Sequence, residues 1–114
     1  MTIYDTSVVI DKAKKGESID GDITAITLVE YPKIIYYRKF EGNIKFPIGE
    51  DYILAHKLQL KLIEKAKPQQ ATDLIIAAIA IRLGEDLATM DKDFEDIARA
   101  AKELGYNFKL KPVA

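Results

Sequence analysis

The chain has no cysteine, a single histidine and almost no excess of either charge, and each shortage removes a class of function. Without cysteine there is no disulfide framework, no thiolate zinc site, no iron–sulfur cluster and no cysteine nucleophile, which fits a reducing compartment. The 17 Lys and Arg residues are balanced by 18 Asp and Glu, so no global basic excess exists to displace counterions from a nucleic acid. A phosphate partner would have to be held by local groups or by a metal. The longest apolar run, Leu74 to Ile81, falls far short of a membrane span, and Met1-Thr2-Ile3-Tyr4-Asp5 is too short and too acidic for a secretory signal. The expectation is a soluble, cytoplasmic protein with no membrane contact.

What is present suits one domain spanning residues 1–114, with no linker, internal repeat or low-complexity tract. A chain of this size buries roughly two-thirds of its unfolded surface and holds a core without staples. Four Phe, six Tyr and abundant Ile, Leu and Ala supply that core. Met1 to Asp5 reads as a strand running into a short helix that closes at Lys14-Lys15-Gly16. A β-branched segment, Ile23 to Thr27, precedes a stretch at helical spacing, Leu28 to Phe40, stopped by Glu41-Gly42-Asn43. Ile44-Lys45-Phe46 reads as a short strand and Glu50 to Lys67 as a helix with Leu54, Leu58 and Leu62 on one face. After Pro68, residues Gln69 to Leu83 form a helix apolar on nearly every side, which must be buried, with Gly84 as its C-terminal stop. Leu87 to Met90 is a strand ending at Asp91, Phe94 to Leu104 a helix, and Asn107 to Leu110 a last strand.

Strands alternating with helices predict a single-domain three-layer α/β/α sandwich around a central, mainly parallel sheet. Sites in such folds form outside the carboxyl ends of the strands. Two of the strands end in an aspartate, Asp5 and Asp91.

Each acid has an ordinary structural reading beside a functional one. Asp5 precedes Thr6-Ser7 and suits a helix N-cap. Glu30 fits a capping box with Thr27, yet it shares a helical row with Ile26, Ile34 and Tyr37, where an unpaired carboxylate is costly. Pro32, just after it, implies a kink or a late helix start. Asp73 opens the buried helix, a favourable place for a negative charge, in a row with Ile76, Ala77 and Ala80. Of Asp91 and Asp93, the latter suits an N-cap for the last helix and leaves Asp91 free at the strand end. If these acids converge, they repel one another, and a hard divalent cation that takes carboxylate oxygens resolves the conflict.

Tyr4-Asp5-Thr6-Ser7, Glu30 after Thr24-Ala25-Ile26-Thr27, Ala71-Thr72-Asp73-Leu74-Ile75-Ile76-Ala77-Ala78 and Leu87-Ala88-Thr89-Met90-Asp91-Lys92-Asp93-Phe94 stand in the order of the PIN domain. Among PIN proteins the chain resembles the small VapC-type toxins of VapBC toxin–antitoxin pairs, over almost its whole length apart from the segment Phe40 to Pro68. The resemblance implies a PIN-like fold and a Mg²⁺- or Mn²⁺-dependent endoribonuclease, with Asp5, Glu30, Asp73 and Asp91 as catalytic, metal-binding acids. Asp93 is the alternative fourth ligand, and the hydroxyls of Thr6, Ser7 and Thr89 are candidates to orient ligands or water, or equally to serve as caps. It further implies RNA as substrate, in-line hydrolysis without a side-chain nucleophile, a VapB-type antitoxin as partner and a homodimer.

The remaining polar groups carry less. His56, the lone histidine, reads as an ordinary exposed helical residue, and Lys57, Lys61 and Lys65 read better as a solvated face than as an RNA track. Arg82, Lys12, Lys14 and Lys15 are further phosphate candidates. Tyr31, Tyr36, Tyr37 and Phe40 exceed what one core contact needs, leaving room for an antitoxin groove or a dimer seam. A haloacid-dehalogenase-like phosphatase would need an Asp at position 7, which is Ser, and a receiver domain would need adjacent acids at the first strand end. The competing functions are a non-catalytic PIN-like interaction module and a PIN nuclease of housekeeping RNA processing.

Overall fold

The computed structural model describes residues 1–113. Its elements are β1 (Thr2–Tyr4), α1 (Thr6–Lys14), β2 (Ile23–Thr24), α2 (Ala25–Glu30), a 3₁₀ turn (Pro32–Tyr36), β3 (Ile44–Lys45), α3 (Gly49–Glu64), α4 (Ala71–Leu83), β4 (Asp86–Thr89), α5 (Asp93–Glu103) and β5 (Leu110–Pro112). β1, β4 and β5 form a parallel sheet in which Ile3 pairs with Leu87 and Leu87 with Leu110. β2 and β3 form a second parallel pair, joined to β1 where Tyr4 N–H donates to the Asp22 carbonyl and Asp22 N–H to that of Thr2, both at 2.8 Å. The chain thus builds β2 and β3 outward from one edge of β1, then crosses over to add β4 and β5 on the other. That reversal puts the topological switch point at the carboxyl ends of β1 and β4, where open α/β sheets place their ligands.

Two apolar clusters flank the sheet. In the larger, Ile3 and Leu87, with Leu110 beside them, meet Leu58 and Leu62 of α3, the apolar surface of α4, and Phe94 and Ile97 of α5. α4 has five consecutive buried residues, Ile76 to Ala80, so it is covered on all sides as its uniform hydrophobicity requires. It stops at Gly84, whose φ of +66° is the left-handed conformation in which a side chain would be strained. The smaller cluster joins Val9 of α1 to Ile19, Ile23 and Ile34, with Tyr4, Tyr31, Tyr37 and Phe40 packed against it.

The helix expected across Leu28 to Phe40 does not form. α2 ends at Glu30, Tyr31 adopts φ −137° and ψ 72°, and a single 3₁₀ turn follows. Pro32 accounts for the break: its ring disfavours helical geometry at Tyr31 and it cannot donate a hydrogen bond back to the preceding turn. The β-branched run Ile23 to Thr27 is strand for only two residues before α2 begins, and the final strand lies at Leu110–Pro112 rather than Asn107 to Leu110. Phe108 and Leu110 still both pack on the larger core.

Gly42 is not a helix stop but a close approach. Its backbone lies against Gly21, so close that an added Cβ would fall 1.8 Å from the Gly21 carbonyl oxygen. The neighbouring Asn43 N–H donates to the buried Asp22 carboxylate at 2.9 Å, tying the β3 entry to the β2 entry. Replacing Gly42 with Ala should therefore cost about 2 kcal/mol or more in urea unfolding, the scale of an overpacked contact that cannot relax. Gly49→Ala, where the added Cβ meets open space at the start of α3, should change stability by no more than about 1 kcal/mol. Equal effects of the two substitutions would refute the close-packing account.

Candidate metal centre at the switch point

The acids expected in the site come from four separate places in the chain. Asp5 is the N-cap of α1 at the end of β1, Glu30 is the last residue of α2, Asp73 lies in the first turn of α4, and Asp91 and Asp93 sit where β4 passes into α5. All five line one cavity of about 350 Å³, together with Thr6, Ser7, Ile10 and Gln70. No Lys, Arg or His is among these lining residues. The first turns of α1, α4 and α5 offset part of the negative charge through their backbone dipoles. A partial charge at a helix end cannot balance five carboxylates.

Asp5 is buried and held from three sides. Its Oδ1 accepts Thr6 N–H at 2.7 Å, and its Oδ2 accepts both Ser7 Oγ at 2.8 Å and Thr89 Oγ1 at 2.7 Å. Both hydroxyls are oriented in turn, because Ser7 Oγ accepts Met90 N–H at 3.2 Å and Thr89 Oγ1 accepts Asp91 N–H at 3.0 Å. Only donors converge on Asp5, an arrangement suited to an ionised carboxylate, which can only accept. The N-cap and site roles of Asp5 are therefore not alternatives: the cap geometry is what points the carboxylate at the cavity.

Glu30 is exposed, but its Oε1 accepts Thr6 Oγ1 at 2.7 Å. The capping box expected between Thr27 and Glu30 is absent, because α2 starts two residues before Thr27 and its N-cap is Thr24. Thr27 is fully buried and contacts Thr6 Oγ1 at 2.9 Å instead. The cap expected from Asp93 is made by Asp91 instead, and both residues remain in the cavity lining. Asp91 Oδ1 accepts Asp93 N–H at 2.9 Å, so Asp91 steadies the start of α5, while Asp93 is exposed and its carboxylate caps nothing. Asp73, Asp91 and Asp93 each offer an oxygen within 4.8 Å of the others.

Asp73 is half-buried and has no hydrogen-bond donor among the described residues. Burial, and then the negative charges of Asp5, Asp91, Glu30 and Asp93, push its pKa from 3.8 up to about 7. The site is thus over-supplied with hard oxygen ligands and lacks a positive charge, and one member answers by retaining its proton. That donor set fits a hard divalent cation such as Mg²⁺ or Mn²⁺.

The other candidates lie elsewhere. Arg82 is committed to the buried Asp51, with Nε to Oδ1 at 2.8 Å and Nη2 to Oδ2 at 3.1 Å. Lys65 and Lys61 face Glu103 of α5, Lys15 pairs with Asp11, Lys12 lies near Glu17 and over the Tyr4 ring, and Lys14 is exposed. His56 is exposed and outside the cavity lining. Gln70 and Ile10 line the cavity without having stood out in sequence. Their places beside Asp73 and one turn after Asp5 were the only available signals.

No family model matches the chain, and no curated protein is similar enough in sequence to match it. Architecture and site together define a PIN-like α/β domain with an acidic centre at its switch point. Solved structures share the fold over nearly their full length. A chain of DNA-bound VapBC from Salmonella typhimurium is 16% identical with a TM-score of 0.77, covering 97% of this chain and 96% of that one. A chain of VapBC2 from Rickettsia felis, bound to a DNA fragment from its promoter, is 17% identical with a TM-score of 0.74, covering 99% and 98%. A chain of VapBC-1 from nontypeable Haemophilus influenzae is 18% identical with a TM-score of 0.71, covering 97% and 96%. At such identities the likeness is one of fold.

The raised pKa of Asp73 makes stability depend on pH in a definite direction. Between about pH 4 and pH 7 the folded protein retains a proton that the unfolded chain has released, so this group's contribution to stability is complete below pH 4 and is lost as pH rises toward 7. Across that range Tm of the metal-free protein should fall relative to that of Asp73→Asn, which keeps a neutral group at all pH values. Parallel Tm curves for the two proteins would show that Asp73 does not carry the proton.

Proposed function

We propose that this protein is a metal-dependent endoribonuclease that hydrolyses RNA phosphodiester bonds, and that it serves as the toxin of a type II toxin–antitoxin pair in the cytoplasm. The observation that carries the reading is the convergence of Asp5, Glu30, Asp73, Asp91 and Asp93 on one cavity whose lining has no basic side chain. The PIN-like fold shared with chains of VapBC complexes supports the assignment to RNA and to a toxin–antitoxin pair.

In this reading Asp5, Glu30, Asp73 and Asp91 hold Mg²⁺ or Mn²⁺, and Asp93 stands beside Asp91 as the alternative fourth ligand. When bound, such an ion activates water for in-line attack and offsets charge on the phosphate and leaving oxygen. Ser7 and Thr89 keep Asp5 aimed at the cavity, and Thr6 does the same for Glu30. No side-chain nucleophile is required.

Exposed apolar side chains support partners for the protein. Val29, Ile35 and Tyr36, all more than 60% exposed, stand on α2 and the 3₁₀ turn next to Glu30, where an apolar segment of a VapB-type antitoxin would also cover the site. Tyr52, Ile53, Leu60 and Ile63 line the outside of α3 and suit the seam of a homodimer.

Purified protein should cleave RNA with Mg²⁺ or Mn²⁺ and not with EDTA. Asp5→Asn and Asp73→Asn should each lower the rate by about 100-fold or more, the scale on which loss of one organising group acts in such centres, while the far-UV spectrum stays unchanged. If structured and unstructured RNAs survive both metals, the enzyme reading fails and a non-catalytic interaction module takes its place. Comparing Asp91→Asn with Asp93→Asn assigns the fourth ligand: the true ligand shows the larger loss of Mn²⁺ affinity.

A further inference from the structure

Thr27 is a fully buried polar residue that the site description leaves without a task. Its hydroxyl lies 2.9 Å from Thr6 Oγ1 and has no other partner among the described residues. Thr6 Oγ1 also lies 2.7 Å from Glu30 Oε1. Geometry leaves the direction of the Thr6–Thr27 bond open, but proton counting closes it. A threonine hydroxyl has one proton to give, and an ionised carboxylate can only accept. Thr6 therefore donates to Glu30 and must accept from Thr27. The order is Thr27 to Thr6 to Glu30, and each bond polarises the next.

The arrangement matters because of where Glu30 sits. It is exposed at the C-terminal end of a six-residue helix, and the chain leaves helical geometry at the next residue. Nothing in its immediate backbone restrains a long flexible side chain there, and Thr6 is the single donor to its carboxylate among the described residues. Thr6 can hold Glu30 only if its own hydroxyl is fixed in direction, and the anchor for that rotor is Thr27, which is packed where it cannot turn away to water.

We propose that Thr27 is a positioning residue for the metal centre: by donating to Thr6 it fixes the direction in which Thr6 donates to Glu30, and so pre-orders an exposed acid of the site that burial leaves free to move. The inference rests on the metal-site reading above and extends it by a residue that lines no part of the cavity. It also separates the two halves of the threonine side chain, since the hydroxyl serves the site and the methyl serves the packing.

Two substitutions divide those halves. Thr27→Val keeps the shape and removes the hydroxyl; Thr27→Ser keeps the hydroxyl and removes the methyl. Mn²⁺ binding, followed without RNA by the electron paramagnetic resonance of the free ion, should weaken roughly ten-fold in Thr27→Val and by less than about two-fold in Thr27→Ser, with Tm falling more in Thr27→Ser. Three-bond couplings of the metal-free protein should show Glu30 in one χ1 rotamer in wild type and Thr27→Ser, and averaged over rotamers in Thr27→Val. Wild-type Mn²⁺ affinity and an unaveraged Glu30 in Thr27→Val would overturn the proposal, as would Mn²⁺ losses that simply follow Tm. If wild-type protein itself binds no Mn²⁺, the metal reading fails separately, and the Glu30 couplings alone decide whether the relay exists.

Discussion

Mutual repulsion of carboxylates at the end of a sheet is the constraint around which this molecule is organised. Five acids face one cavity with no basic side chain in its lining, and the fold must hold them there against their own field. It does so with neutral groups. Two amide-oriented hydroxyls and one backbone N–H fix Asp5, a third hydroxyl fixes Glu30, and a backbone amide turns Asp91. Neutral donors set direction without cancelling charge, so the site stays strongly attractive to a cation while remaining ordered. None of the lysines or arginines lines the cavity, and Arg82 is held firmly on the buried Asp51.

The rest of the fold supplies the rigidity for this. The middle of α4, Ile76 to Ala80, is sealed on every side, which anchors the first turn that carries Asp73. β1 lies at the centre of the strand order, bonded to β4 on one side and to the Asp22 backbone on the other. A residue placed immediately after β1 inherits that restraint. Asp5 takes this position, and its amide donates to the Ala88 carbonyl at 3.0 Å. The close contact of Gly21 with Gly42 serves the same end from farther away, since it lets the β2 and β3 entries run side by side without a side chain between them.

Much of this was legible in the sequence, and the failures have identifiable causes. The parallel architecture, the buried middle of α4, the α3 face of Leu54, Leu58 and Leu62, and the places of Asp5, Asp73, Asp91 and Asp93 at element ends follow from periodicity and from residues that favour helix ends. The helix over Leu28 to Phe40 failed because apolar spacing continued through Pro32 while the backbone could not; proline's restriction on the residue before it outweighs side-chain pattern. The Thr27–Glu30 capping box failed because the true N-cap, Thr24, makes no side-chain cap bond and so offers no cue. The cap expected from Asp93 falls to Asp91 because either spacing satisfies the same local turn. Thr6, Ser7 and Thr89 stood out in the sequence, but the hydroxyl of Thr27 and the pairings among these groups did not, since the bonds join residues as far apart as Asp5 and Thr89.

One consequence of the Asp73 environment concerns exchange rather than stability. With a pKa near 7, the metal-free protein near neutral pH is a mixture of molecules that hold a proton on Asp73 and molecules that do not. A divalent ion bound there, as proposed above, would have to evict that proton where it is present, so its uptake would acidify the medium by a fraction of a proton per molecule, a fraction that grows as pH falls. On the proposed metal reading the centre would act as a cation exchanger with hydrogen ion as its counterion, and the acidity of the surroundings would set how readily it gave that counterion up.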